Sequence, residues 1–193
     1  MNIENLKFEF TRLKKQDQNK ILMGLTILKE SKTPVILVGG GSVVCYLQKN
    51  RDLTPDLDFI CQNLEEMISF LHEKKIAIKD LIDSRGKYLG IGLIDYNIDI
   101  LSESNFSFPF KKLLSTNSKS IFFNNHNLNM ISPELLVIMK FTTSREKDIN
   151  DAFLLLGSEK LSKEKYLNCL NELKIELKDD FDTLIIYAEL IKD

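Results

Sequence analysis

The chain has 193 residues, 44% of them hydrophobic and 28% charged, with a formal net charge of -2. That balance supports a sizeable folded core without disulfides, and it excludes a chain too polar to collapse. The near-neutral total excludes binding that rests on a basic field over the whole molecule, but not a local basic groove.

Cys45, Cys61 and Cys169 form no Cys-x-x-Cys pair, and each sits in an apolar pattern, so they read as buried, reduced thiols. Residues 1–5 are polar and acidic, with no secretory apolar region, and no apolar run is long enough to span a bilayer. The expectation is a soluble, cytoplasmic protein with no membrane partner.

In chain order, Leu13, Ile21, Leu22, Leu25 and Leu28 recur at helical spacing up to the break at Lys32-Thr33-Pro34. Val35-Ile36-Leu37-Val38 is a short β-branched run, hence a buried strand. It stops at Gly39-Gly40-Gly41-Ser42, after which residues 43–48 look helical. Leu57 to Cys61 reads as a second strand and Leu64 to Lys75 as a polar-faced helix. From Ile76 to Leu101 the pattern is mostly strand, with turns at Ser84-Arg85-Gly86 and Asp95-Tyr96-Asn97. A further strand pair is expected around Ile121-Phe122-Phe123 and Leu128 to Ile131, joined by Asn124-Asn125-His126-Asn127. Ser132-Pro133-Glu134 reads as an N-cap with proline at the first helical position, and the chain is helical from there almost to its end.

Strand, glycines, helix is a geometry with a chemical use. Glycine lets the backbone turn sharply and approach a ligand closely, and the helix N-terminus behind it offers unpaired N–H groups and a positive dipole end that suit phosphate. Gly39, Gly40 and Gly41 are therefore candidate nucleotide contacts. Ser42 is either a further phosphate contact or a helix cap.

Thr54-Pro55-Asp56-Leu57-Asp58-Phe59 opens the next strand. Residues two apart share a face, so Asp56 and Asp58 project together while Leu57 and Phe59 enter the core. Paired carboxylates beside a phosphate-binding turn suit a divalent ion, and two such ions can activate a hydroxyl and stabilise leaving pyrophosphate. Asp99 lies between apolar residues in Asn97-Ile98-Asp99-Ile100-Leu101, where a carboxylate is costly unless it is paired or binds metal. A lone Asp-x-Asp would read as a turn or cap. Together with Asp99 and the glycine turn it reads as a metal site, with Asp56, Asp58 and Asp99 as ligands and catalytic residues. A dinucleotide-binding unit is the competing use of this order, but the third glycine of its fingerprint falls at Val44.

At these residues the chain resembles the polymerase-β-type nucleotidyltransferase superfamily, in which a Gly-Gly or Gly-Ser turn precedes an Asp-x-Asp strand and a third Asp. More narrowly, it resembles the AbiEii-like toxin nucleotidyltransferases and their uncharacterised relatives. The matching residues are Val38-Gly39-Gly40, Thr54-Pro55-Asp56-Leu57-Asp58, Ser132-Pro133-Glu134-Leu135-Leu136 running into Lys140, and Arg145-Glu146-Lys147-Asp148-Ile149-Asn150-Asp151. The resemblance extends over roughly residues 35–156.

The resemblance implies an α+β fold, a nucleotidyltransferase-like mixed sheet flanked by helices. Its core would be residues 1–131, with a helical segment over 132–193 completing the site. It implies Mg²⁺ or Mn²⁺ on the three aspartates, Lys140 near the phosphates of an NTP such as ATP, and Asp148 as an accessory nucleotide-binding residue. It also implies an RNA or tRNA acceptor, a toxin–antitoxin role and an antitoxin protein as partner. Arg51 stands three residues before Thr54 where the family has an arginine two before, so that phosphate contact does not carry over.

Independently of any family, Lys140 follows the apolar stretch Leu135 to Met139, so its stem is buried and its ammonium meets something anionic. Asp148 and Asp151 share a helical face and also fit a salt-bridged surface. His72 and His126 stand in polar surroundings and make no triad or zinc site. Leu161, Leu167, Leu170, Leu173, Leu177, Leu184 and Ile185 read as packing or as a partner surface. The other reading of the whole chain is a non-catalytic nucleotide- or partner-binding module on the same scaffold.

Overall fold

The computed structural model describes residues 3–47, 52–143, 145–158, 161–176 and 181–190; Gln48, Arg51 and Leu177 lie outside them. The expected N-terminal helix is two helices, α1 (Ile3–Arg12) and α2 (Lys15–Ser31). Lys14 is extended between them. The Gln18 amide donates to the Thr11 and Leu13 carbonyls at 3.1 and 2.9 Å, meeting the open end of α1. The bend lets Leu6 and Phe10 of α1 enter the core along with Ile21 and Leu25 of α2. Phe10 packs edge-on against Phe123.

β1 (Val35–Val38) leads into α3 (Gly39–Tyr46), and β2 (Leu57–Cys61) into α4 (Leu64–Glu73). The Asn63 side chain caps α4 by accepting from Glu66 N at 3.1 Å. In the stretch that reads as mostly strand with two turns, three strands follow: β3 (Ile78–Ile82), β4 (Tyr88–Leu93) and β5 (Ile98–Ser102). Residues 103–118 carry no element in the sequence pattern. They form a 3₁₀ turn and then α5 (Phe108–Asn117), capped by Ser107.

β6 (Lys119–Phe123) and β7 (His126–Met130) make the expected hairpin, but its turn is only Asn124-Asn125. Both asparagines have positive φ, 44° and 66°, the conformation a two-residue hairpin of matching twist requires. His126 therefore belongs to the strand.

The seven strands form one mixed sheet in the order β3-β4-β5-β2-β1-β7-β6. The β1–β7 and β2–β5 pairs are parallel and the rest antiparallel. Ser132 caps α6 (Pro133–Thr142) from its side chain to Leu135 N at 3.3 Å, with proline in the first turn as its sequence indicates. α7 (Glu146–Leu156), α8 (Lys163–Leu173) and α9 (Phe181–Leu190) complete the described helices. One buried cluster runs from Leu6 and Leu37 through Leu135 and Leu155 to Leu184. α6 reaches the sheet through α3: Tyr46, itself buried, donates its hydroxyl to the Ile131 carbonyl at 2.7 Å, just ahead of the α6 cap. Cys45, Cys61 and Cys169 are buried and free, as expected. Among the described residues no helix is long and apolar enough to cross a membrane.

Candidate active site

The centre of the sheet decides where the acidic residues go. β2 and β5 run parallel with Asp58 directly beside Asp99, and neighbouring strands lie about 4.8 Å apart, so paired side chains on one face meet. Asp56, just ahead of β2, joins them. One carboxylate oxygen from each of Asp56, Asp58 and Asp99 lies within 4.8 Å of the other two, with Asp56 exposed and the others half-buried.

Burial, then repulsion from Asp56 and Asp99, pushes the Asp58 carboxyl up to about 6, against the pull of Lys140 and Arg145. Burial also raises Asp99; Lys79 draws it down and Asp56 adds to the rise. A cluster of hard oxygen donors whose charges oppose one another in this way fits a divalent cation: a bound ion would remove the repulsion that now favours protonation. Asp56, Asp58 and Asp99 are the residues that would hold it.

The turn after β1 forms the next wall. Gly39 has φ +62°, and a Cβ on it would stand 1.9 Å from Asp58 Oδ2. The glycine is thus needed twice, for the left-handed turn and for the space Asp58 occupies. Gly39 and Gly40 line a cleft of about 150 Å³ together with Val38, Thr54, Asp56, Asp58 and, from the α6–α7 side, Lys140, Thr143, Arg145, Lys147 and Asp148.

Two expected contacts fall elsewhere. The helical turn of α3 points Gly41 inward, where a Cβ would meet Leu57 Cδ2 at 2.8 Å. Ser42 is fully buried and its hydroxyl donates to the Leu37 carbonyl at 2.8 Å. Neither lines the cleft; in the structure both serve packing of α3 on the sheet.

Lys140 is 5% exposed, and its ammonium ends on the protein's own carboxylates, Asp148 and Asp151, the latter at 3.0 Å. Both aspartates are 2% exposed, so the pair is a buried charge network rather than a surface one. Asp148 also accepts from Thr143 Oγ1 at 2.8 Å and from Arg145 Nε. Burial raises the Asp148 carboxyl, but these donors, led by Lys140, outweigh it and hold it below its ordinary value. Asp148 thereby holds the otherwise exposed Arg145 at the cleft.

Thr54, Arg145 and Lys147 were not singled out as cleft residues from sequence. Arg145 and Lys147 carried a usable signal, two cations around the matched Arg-Glu-Lys-Asp run, and Thr54 carried one as the matched threonine before Asp56. The expected family role of Arg51 lies outside the described residues.

No protein-family model matches the chain, and no curated protein matches it. Solved structures do. An antigenic nucleotidyltransferase-like protein from Paracoccidioides brasiliensis aligns at 13% identity and TM-score 0.52, covering 82% of this chain and 86% of the other. The solution structure of the antibiotic-resistance factor ANT(2'')-Ia aligns at 14% identity and TM-score 0.53 over 100% of this chain and 97% of the other. The crystal structure of ANT(2'')-Ia in complex with adenylyl-2''-tobramycin gives 14% and 0.53, over 81% and 94%. The fold is thus nucleotidyltransferase-like, a mixed α/β sheet flanked by helices.

Proposed function

We propose that this chain is a metal-dependent nucleotidyltransferase that moves a nucleoside monophosphate from an NTP to an acceptor hydroxyl. The observation that carries this reading is the convergence of the Asp56, Asp58 and Asp99 carboxylates within 4.8 Å beside a glycine turn. Mg²⁺ or Mn²⁺ bound there would neutralise phosphate charge and favour loss of the acceptor proton.

The protein's own groups supply the rest. The Gly39–Gly40 backbone and the side chains of Thr54, Arg145 and Lys147 take the triphosphate, and the cation-rich wall compensates its charge. Lys140, locked between Asp148 and Asp151, keeps the α6–α7 turn rigid and adds positive field at Asp58. Asp99, at the edge of the triad away from that wall, takes the acceptor proton. The acceptor oxygen then bonds to the α-phosphorus and the bond to pyrophosphate breaks, the leaving oxygen keeping the electron pair.

Two features bear on the acceptor. The motif similarity to AbiEii-like toxins supports RNA, such as a tRNA 3′ end, and a toxin countered by an antitoxin protein. The similarity to ANT(2'')-Ia with adenylyl-2''-tobramycin supports a small polyhydroxylated compound. Incubation of the chain with α-labelled NTPs, Mg²⁺, total RNA and tobramycin, in parallel with Asp56→Ala, tests both. Label on RNA or on tobramycin, lost in Asp56→Ala, is expected. Transfer that survives Asp56→Ala overturns the mechanism.

A further inference from the structure

One residue from each of five strands forms a row across the sheet. Lys79 of β3 stands opposite Gly92 of β4, and Gly92 opposite Asp99 of β5. Asp99 lies beside Asp58 of β2, and Asp58 opposite Val38, the residue before Gly39. Directly opposed residues project from the same face. The space at Gly92 agrees: a Cβ there would lie 2.6 Å from Lys79 Cε and 2.8 Å from Asp99 Oδ1.

The missing side chain of Gly92 thus leaves the space into which the end of the Lys79 stem and the Asp99 carboxylate both project. Any larger residue at this point would push apart a lysine and a proposed metal ligand. Lys79 is exposed to solvent and forms no salt bridge among the described residues. Its charge acts on Asp99 across the gap.

Lys79 also stands on a particular side of the chemistry. The cations of the cleft, Lys140, Arg145 and Lys147, come from α6, the turn after it and α7, and share that cleft with Gly39 and Gly40. Lys79 does not line it. In an in-line displacement the attacking and leaving oxygens lie on opposite sides of the phosphorus. If pyrophosphate leaves toward the glycine turn and Arg145, the acceptor enters from the Asp99 side, past Lys79. An exposed ammonium on that approach attracts an anion and repels a polycation.

Building on the nucleotidyltransferase reading, we propose that Lys79, laid over Gly92, is the acceptor-positioning residue and selects acceptors that carry a phosphate near the reacting hydroxyl. The chemistry is shared by a nucleic-acid terminus and a small phosphorylated polyol.

The test uses the full chain with Mg²⁺ and an α-labelled NTP, and four acceptors: a short oligoribonucleotide with a free 3′-hydroxyl, ribose 5-phosphate, ribose and tobramycin. The wild type is expected to use at least one phosphate-bearing acceptor with kcat/KM tenfold or more above ribose and tobramycin. Lys79→Ala raises KM for that acceptor tenfold or more, with the loss in KM rather than kcat. Lys79→Arg recovers to within threefold, and affinity for a non-hydrolysable NTP analogue is the same in all three proteins. Use of the oligoribonucleotide but not ribose 5-phosphate identifies a nucleic-acid terminus, and the reverse a small compound.

Transfer by the wild type with an unchanged KM in Lys79→Ala overturns the assignment of Lys79 and leaves nucleotidyl transfer intact. Preference for ribose or tobramycin does the same. A wild type that binds the NTP analogue and transfers label to nothing overturns both.

Discussion

Gly39→Ala isolates the link between backbone shape and chemistry. The position has φ +62°, and the added methyl would stand 1.9 Å from Asp58 Oδ2, 2.6 Å from its Cγ and 2.9 Å from its Cβ. The backbone strain costs about 1–2 kcal/mol, which for a chain of this size lowers Tm by about 2–8 °C. The clash does more: the methyl cannot be accommodated by a rotation of a flexible tip, so the Asp58 carboxylate must leave the triad. Loss of one of three ligands weakens a divalent ion by at least about tenfold, equivalent to about 1.4 kcal/mol.

Gly86→Ala is the control. Gly86 also has positive φ, +81°, but nothing lies within 4 Å of its would-be Cβ. It is expected to lose similar thermal stability and to keep its metal affinity. Calorimetric Mn²⁺ titration and thermal melts of both variants decide the matter. Gly39→Ala binding Mn²⁺ as tightly as wild type would refute the reasoning, as would an equal loss in Gly86→Ala.

Lys140→Met removes the cation between two carboxylates that are each 2% exposed, and is expected to destabilise by about 3–5 kcal/mol in urea melts; adding Asp148→Asn recovers part of this, and a single variant within 1 kcal/mol of wild type, roughly the value of an exposed pair, contradicts the buried network. Asp58 titrates near 6 when folded against an ordinary 3.8, so the folded state holds its proton more tightly. Its contribution is fully present below 3.8 and lost as pH rises through about 6, by up to about 3 kcal/mol. In EDTA, the Tm of Asp58→Asn is therefore expected to gain on wild type between pH 4 and 6.5, and a pH-independent difference rules this out. Tyr46→Phe leaves the Ile131 carbonyl without its buried donor at 2.7 Å and is expected to cost about 1–2 kcal/mol in the same melts.

The strands that hold the site were legible because each combines a short apolar run with a hard stop. Val35 to Val38 ends at three glycines, and Leu57 to Cys61 begins after Pro55. Asp58 and Asp99 were legible because a charge inside an apolar strand has few uses, and Asp56 because it stands two residues before Asp58, on the same face. The parallel β2–β5 register that brings Asp58 beside Asp99 was not, since pairing between distant strands leaves no local pattern.

The same limit explains Gly41 and Ser42. The glycine run announces a turn, but which of its residues face the cleft depends on the helical phase of α3, set by packing against Leu57 and Leu37. The break at Lys14 was hidden because apolar spacing continues across it, and the capping by Gln18 is a tertiary detail. Lys140 showed a buried stem in sequence; that its anions are Asp148 and Asp151 required the α6–α7 turn.

Nucleotidyl transfer itself is tested most directly by following an NTP labelled at the α- or the γ-phosphate through reaction with wild type, Asp56→Asn and Asp58→Asn in Mg²⁺. The predicted result is α-label on the acceptor, γ-label released as pyrophosphate in equal amount, and loss of both in either variant while the folded state persists. γ-label on the acceptor, or undiminished α-label transfer by both variants, would contradict it.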